Sequence, residues 1–524
     1  MTATQPQPPR GFWAAAQAEP DRIAVVDPTG SEWTAGEIAT DANRLVHALR
    51  ARGLTEGDPI AMLLPNRAET FVLLMALFQA GWNFVPLNSN LTATEIAYIL
   101  RDAGAKALVA DARFADVATT AAEESGVPQS GRIAVGGPIA GGFTLLEDVL
   151  VGQPASPPTD RVAGQFMQYT SGTTGRPKAV ERALPSFDPE VWVQVFSGNL
   201  TRYDIQPGGD AVHLVTSPMY HMAPLSFGYF SAHFEHTVVL MEKWDAEEAL
   251  RLIARYRVTD VHMVPTQLHR LMQLPPEVRE RYDVSSLRQV IHAAAPCPMD
   301  LKLRLFEWLG PVIYEFYGAT EGGGTLARPE DWLAHPGTVG RPWQGADLKV
   351  LDDEGNEVPA GTVGTVYMKL MGGDFRYKGD ADKTEASRHG DFFTVGDMGE
   401  LDEDGFLYLR DRKIDMIISG GVNIYPAEVE AALLSHPAVG DAAVFGIPNE
   451  EWGEEVKAVV EPAAGHAASP ELAEELQTHC AGLLARYKCP RSVDFTEAMP
   501  RDPNGKLYKR RLRDPYWEGS ERGI

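Results

Sequence analysis

The residues with the clearest chemical content lie between Tyr169 and Lys178, in the run YTSGTTGRPK. Gly172 and Gly175 carry no Cβ and free the backbone for close approach to a polyanion. The hydroxyls of Thr170, Ser171, Thr173 and Thr174 can donate to phosphate oxygens, and Lys178 supplies a positive charge. The pattern reads as a polyphosphate cradle. It is not a Walker A loop, because the spacing G-x-x-x-x-G-K-S/T is absent. A plain polar turn explains the glycines and threonines but not the lysine placed with them.

Five further stretches carry polar groups at loop-like positions: SPMYH at Ser217 to His221, YEFYGATE at Tyr314 to Glu321, TVGD at Thr394 to Asp397, DRKIDMIISGGVNIYPAEVE at Asp411 to Glu430, and PRDPNGK ending at Lys506. In wording and order, these stretches and the phosphate loop resemble the adenylate-forming enzymes, which include acyl-CoA synthetases, luciferases and the adenylation domains of peptide synthetases. The wording GATEGGG and ISGGVNIYPAE looks like bacterial acyl-CoA synthetases acting on fatty or bulky polycyclic acids.

The resemblance implies a role for each matched position. Ser171 to Gly175 with Lys178 would hold the phosphates, Tyr317 would stack on adenine, and Ala294, Ala295 and Pro296 would wall the base where relatives often carry glycine. Thr320 would contact the α-phosphate. Glu321 and Thr170 would hold Mg²⁺, a hard cation that prefers oxygen ligands. Asp397 would accept from the ribose hydroxyls, and Arg412 would contact the ribose. His221 would lie near the substrate carboxylate and the phosphates. The acyl group would be lined by His221, Gly318, Ala319, Gly322 and Gly323, and the run Gly322-Gly323-Gly324 is expected to leave room for a wide substrate. ATP, Mg²⁺ and coenzyme A follow as cofactors, with a small carboxylic acid as the remaining partner.

The implied chemistry has two steps. A carboxylate attacks the α-phosphate of ATP to give an acyl-adenylate and pyrophosphate; a thiol then attacks the acyl carbon and expels AMP. In the first step an anion meets a polyanion, so an aimed cation supplies the main catalytic effect. Lys506 is the candidate, presented after Asn504-Gly505, a pair suited to a tight turn. Read alone, it is a solvated lysine in a basic tail. For the second step, Gly420-Gly421 would let a pantetheine arm pass the backbone. The hinge between the two states would lie at Asp411 to Ile414. Many relatives carry Asp or Lys where Ile414 stands, so the balance of the two half-reactions and simple packing of Ile414 are both open. A carrier protein as acceptor, one half-reaction alone, and a noncatalytic scaffold are the alternatives; the last fits poorly with Lys178, Glu321, Asp397, Arg412 and Lys506 all being present.

These groups need a scaffold. Strand-like runs alternate with helical patterns: Ile60 to Leu64, Ala68 to Ala80, Thr94 to Asp102, Ala105 to Ala110, and again Thr237 to Met241, Ala246 to Tyr256, Val258 to Val264. This is the rhythm of βα units. From Ala346 to Arg410 short alternating strands predict a β subdomain. Beyond Asp411 a compact α+β unit follows, including a helix capped by Ser469 with Leu472, Leu476, Cys480 and Leu483 on its core face. The expected fold is α/β: a large N-terminal domain of helix-covered sheets over residues 1–410, with the β subdomain at about 337–410, and a small mobile α+β C-terminal domain over 411–524.

Composition sets limits. The 524 residues carry a net charge of −25, which lacks the basic footprint that nucleic-acid binding needs. Anionic ligands therefore require local cations, and the segment from Arg501 to Arg513 is basic against the trend. Cys297, Cys480 and Cys489 make no disulfide framework, which fits a reducing, cytoplasmic compartment. No apolar run reaches the roughly 18 to 20 residues of a membrane span, and MTATQPQPPRGFW does not read as a signal peptide. The motifs H-E-x-x-H and G-x-S-x-G are absent, removing zinc-protease and serine-hydrolase readings. Oligomeric state, a homodimer included, is not set by these features.

Overall fold

Short β-branched runs followed by amphipathic stretches generate most of the regular structure in the computed structural model, which describes residues 11–170, 177–196, 198–370, 375–412, 414–502 and 506–518. The chain divides into two compact units, one of residues 1–262, 276–290 and 374–385, the other of 263–275, 291–373 and 386–524. No helix among the described residues is long and apolar enough to cross a membrane.

In the first unit, strands Pro59–Leu63, Asn83–Pro86, Ala107–Asp111, Arg132–Val135, Thr144–Leu145 and Gln165–Phe166 pair in parallel. Parallel neighbours need crossovers, which the predicted helices supply at Glu69–Ala80 and Ala93–Ala103. Helix Ala93–Ala103 begins at a capping box, in which the Thr92 hydroxyl accepts from Glu95 N and the Glu95 carboxylate accepts from Thr92 N. Such a cap contributes about 1 kcal/mol. Its Ile96, Ile99 and Leu100 fall at helical spacing and are buried against the sheet residues Ala61, Leu63 and Leu108. A second parallel set places Val212–Val215 between Thr237–Leu240 and Asp260–Met263. In parallel sheets, ligand sites form beyond the carboxyl ends of the strands, and the segment Ser217 to His221 leaves one such end.

In the second unit, Ile313–Gly318 pairs antiparallel with Gly324–Ala327, and the latter with Arg341–Pro342. Short antiparallel strands run where the alternating pattern was read, at Ala346–Leu351, Gly364–Leu370, Asp397–Leu401 and Leu407–Arg412. Strands Val439–Asn449 and Gly453–Pro462 form a long antiparallel ribbon covered by helices Pro426–Leu434 and Pro470–Leu483. Ser469 accepts from Leu472 N at the start of the second helix, as expected. Leu472, Leu476 and Cys480 are buried, but Leu483 is 58% exposed. Leu483 ends the helix, and Leu484, already extended, packs on the core in its stead.

Candidate active site

The phosphate loop is carried by a β-hairpin. Strands Gln168–Thr170 and Lys178–Glu181 are antiparallel, with Thr170 directly opposite Lys178, and Arg376–Tyr377 adds a third strand. Alternation along the first strand leaves Tyr169 facing away from its neighbours, and its hydroxyl donates to Asp102 Oδ2 at 2.6 Å. Burial and the Asp102 carboxylate both push the Tyr169 phenol upward, so it remains a donor. Tyr98 Oη donates to Pro177 O at 3.3 Å on the returning strand. Both sides of the loop are thereby tied down. Ser171, Gly172, Thr173, Thr174 and Gly175 lie outside the described residues, as does the side chain of Thr170. Lys178 forms an ion pair with Asp380. Asp380 is a partner that sequence reading missed, and its only signal was an acidic residue in the Lys-Gly-Asp turn far along the chain.

His221 precedes helix Met222–His233 as its N-cap residue and makes no side-chain cap bond. Its ring is 4.5 Å from that of Tyr220, centroid to centroid. The segment before it is stitched by buried Asn66, whose Nδ2 donates to Ser217 O at 3.0 Å and Met241 O at 2.9 Å while its Oδ1 accepts from Met219 N at 2.8 Å. Gln168 Nε2 donates to Tyr220 O at 3.1 Å, so the phosphate hairpin and the His221 segment share a tie. Neither Asn66 nor Gln168 was identified from sequence.

In the second unit, Tyr317 and Gly318 end a strand, and the connection to Gly324 is a tight turn in which Gly322 N donates to Ala319 O at 3.0 Å. Thr320 and Glu321 occupy the centre of that turn, and Glu321 is 7% exposed. Tyr317 Oη donates to Asp397 Oδ2 at 2.7 Å. The other carboxylate oxygen of Asp397 pairs with Arg412 Nε at 3.3 Å, the two residues being cross-strand partners. Burial first and Asp397 second raise the Tyr317 phenol far above its ordinary range. Ala294 has φ 74°, in the left-handed region that favours glycine. Ala294 and Pro296 are exposed and Ala295 half-buried. Beneath the wall, Lys302 Nζ pairs with Glu315 Oε2 at 2.5 Å, both buried, and His292 Nε2 is 3.6 Å from the same oxygen.

The hinge residues are tied to the C-terminal elements. Asp411 Oδ1 accepts from Arg412 N at 2.7 Å and Oδ2 from Ala427 N at 2.9 Å, so it serves the open N-terminus of helix Pro426–Leu434 in place of its N-cap residue, Tyr425. Burial raises the Asp411 carboxyl, with Lys509 opposing. Ile414 is 42% exposed. Gly420 and Gly421 have φ 59° and 78° and join Ile417–Ser419 to Val422–Ile424, a two-residue hairpin turn that needs positive φ at both positions. A Cβ on Gly420 would stand 2.5 Å from Trp452 Cε3, so the ring of Trp452 covers that side of the pair.

Lys506 N donates to Asp502 Oδ1 and Asp502 N to Lys506 O, both at 2.9 Å, closing the loop that presents the lysine; Asn504 and Gly505 lie outside the described residues. The side chain reaches solvent. Desolvation around it and the neighbouring Arg412 lower its amine, against Asp502 and Asp415. The basic tail is otherwise largely internal in its pairing: Arg501 holds Asp441 at 2.6 Å, Lys509 holds Glu430 at 2.9 Å and Arg513 lies 3.9 Å from Asp415.

Tyr317, Asp397 and Arg412 are thus joined by a hydrogen bond and an ion pair, and Lys506 lies within electrostatic reach of the same arginine. The AMP-binding enzyme family matches residues 12–372, and the AMP-binding enzyme C-terminal domain matches residues 428–506. The chain belongs to this family, in the acyl-CoA synthetase branch of the adenylate-forming enzymes. It is 34% identical to the fatty acid–[acyl-carrier-protein] ligase ScoC of Streptomyces coeruleorubidus, over 97% of this chain and 96% of that protein. It is also 34% identical to the long-chain-fatty-acid–CoA ligase FadD13 of Mycobacterium tuberculosis, over 96% and 97%. Among solved structures, the anthranilate CoA ligase AuaEII in complex with anthranoyl-AMP superposes with a TM-score of 0.83 at 25% identity, covering 98% of this chain and 99% of that one.

Proposed function

We propose that this chain is an ATP-dependent ligase that converts a fatty or aromatic carboxylic acid to its CoA thioester through an acyl-adenylate. The observation that carries the reading is the Asp397 carboxylate, which accepts from Tyr317 and pairs with Arg412 while Arg412 also bears on Lys506. Asp397 would take the ribose hydroxyls, Tyr317 and the Ala294 to Pro296 wall the adenine, and Thr320 and Lys178 the phosphates. The substrate carboxylate, bound near His221, attacks the α-phosphorus and the bond to pyrophosphate breaks. Lys506 meets the charge that builds on the phosphoryl oxygens. Next the CoA thiol, losing its proton, attacks the acyl carbon, and AMP leaves with the former P–O bond intact.

Mg²⁺ suits Glu321 and Thr170 as residue types, because this ion is held by one or two carboxylates together with substrate phosphates rather than by an all-protein cage. When bound, the ion neutralises phosphate charge. On this reading a mobile C-terminal domain would comprise 411–524, with Asp411 to Ile414 as pivot and Gly420-Gly421 facing the pantetheine arm, and the enzyme would work in the cytoplasm. Support for a fatty or aromatic acid, over a polycyclic one, comes from the named substrates of the relatives.

ScoC, named for a carrier-protein acceptor, motivates a second reading in which the thiol belongs to a phosphopantetheinyl protein. Pyrophosphate release with an acid panel, followed by thioester formation with CoA or with a holo-carrier protein, tests both. Acid-dependent pyrophosphate release and acyl-CoA are the expected products. Release without transfer to CoA, but with transfer to the carrier, would establish the second reading; no release with any acid would sink both.

A further inference from the structure

The run Gly322-Gly323-Gly324, together with Gly318, removes side-chain volume from the turn that follows Tyr317, yet at Gly318, Gly323 and Gly324 that volume is not open. Gly318 and Gly324 are cross-strand partners, and Arg341–Pro342 pairs alongside, delivering Trp343 next to them. A Cβ on Gly318 would stand 3.2 Å from Trp343 Cη2 and 3.1 Å from Gly323 O. On Gly324 it would overlap both Tyr317 O and the same indole carbon. On Gly323 it would meet Met368 Cβ at 3.1 Å. Successive residues of a strand point to opposite faces. Gly318 and the indole therefore share the face opposite the Tyr317 ring. A large flat apolar group stands where bare backbone had left space for a ligand.

We propose that Trp343 is the specificity-determining residue of the acyl site, and that the acid activated is a compact aromatic or short-chain carboxylate. The inference rests on the ligase reading above, in which Gly318 and its neighbours line the acyl group. An indole against glycine backbone offers a planar apolar wall that stacks with an aryl ring. It also shortens the site, because a chain extending past Gly318 meets the ring. Gly318 and Gly324 are needed to admit the tryptophan, which is why the number of glycines does not measure the width of the substrate.

The test uses the full chain, with pyrophosphate release measured for benzoate, hexanoate and palmitate in wild type, Trp343→Ala, Trp343→Phe and Gly318→Ala. Wild type should favour benzoate or hexanoate, and Trp343→Ala should shift the palmitate-to-benzoate ratio of kcat/KM toward palmitate by about tenfold or more. Trp343→Phe keeps a flat ring and should hold that ratio within about threefold of wild type. Gly318→Ala drives a methyl into the indole and should lower kcat/KM for all three acids, with recovery in the Gly318→Ala/Trp343→Ala double variant. If Trp343→Ala does not fold, the depressed Gly318→Ala variant combined with Trp343→Phe must show partial recovery. An active wild type that prefers palmitate, or a ratio unmoved by Trp343→Ala at wild-type KM for ATP, overturns the proposal. No adenylation of any acid by wild type instead marks failure of the ligase reading.

Discussion

Tyr317 and Asp397 lie 80 residues apart in the chain, and the phenol of one donates to the carboxylate of the other at 2.7 Å. The bond fixes the orientation of a ring assigned to adenine and a carboxylate assigned to ribose, so that one contact aligns both ends of a nucleoside. Tyr317→Phe leaves Asp397 its partner Arg412 and should cost about 1 kcal/mol or less. Asp397→Ala leaves a half-buried hydroxyl without its acceptor and should cost about 1 to 3 kcal/mol. The apparent melting temperature should therefore fall more for Asp397→Ala, and KM for ATP should rise more for it as well.

Lys506 offers a pH signature. Its amine is lowered from the ordinary lysine value of 10.5 by desolvation and by Arg412. Adenylation needs the ammonium, so its rate should fall on the alkaline side before an ordinary lysine would lose its proton. Lys506→Arg should extend activity to higher pH, and Lys506→Ala should abolish pyrophosphate release while sparing thioester formation from supplied acyl-adenylate. Equal loss of both steps would contradict separate roles. For stability the sign is that of a depressed base: the charged form opposes folding at low pH, and this penalty lifts as pH rises through the folded value toward the unfolded one.

Ala294 holds a left-handed backbone at φ 74°. A side chain there costs roughly 1 kcal/mol that glycine does not incur. Ala294→Gly should raise the apparent melting temperature with KM for ATP nearly unchanged. A lower melting temperature would mean that the methyl packs more favourably than its backbone strain costs.

Lys509 and Glu430 form a half-buried pair at 2.9 Å, and Glu430 Oε1 also accepts from Val444 N at 2.8 Å. Burial opposes the Lys509 charge, but Glu430, Asp411 and Asp415 outweigh it and raise the amine. Lys509→Met should destabilise by about 3 kcal/mol, and adding Glu430→Gln should cost less than the sum of the single changes. Thermal unfolding of the four proteins measures the coupling. With the amine raised, this contribution is present below the ordinary lysine value and is lost only as pH climbs through the raised folded value.

Local chemistry was legible and distant closure was not. The flanks of the phosphate loop fold as a hairpin because Thr170 and Lys178 bracket a polar, glycine-rich run. Gly420-Gly421 occupies a turn that only such a pair adopts easily. Asn66, by contrast, bonds to carbonyls 151 and 175 positions away, and nothing in its neighbourhood announces this. Trp343 was passed over because it follows an ordinary Arg-Pro, and its meaning depends on which strand runs beside it. A missing side chain, as at Gly318 and Gly324, says that something comes close, without saying what. Leu483 had the right period for the core but sits where the helix stops.

The strand Leu407–Arg412 belongs to the ladder with Asp397–Leu401 up to its last residue, where Arg412 meets Asp397, while Asp411 one step earlier grips the start of helix Pro426–Leu434. Turning the C-terminal elements about this strand must peel Arg412 from the ladder or pull Asp411 from the helix. In the first case Asp397 loses its counter-charge in the same event. On the proposed reading, in which Asp397 takes the ribose and the C-terminal domain turns, nucleotide release and domain rotation would be coupled, and a fluorescent AMP analogue leaving its site would report the rotation without any label on the protein.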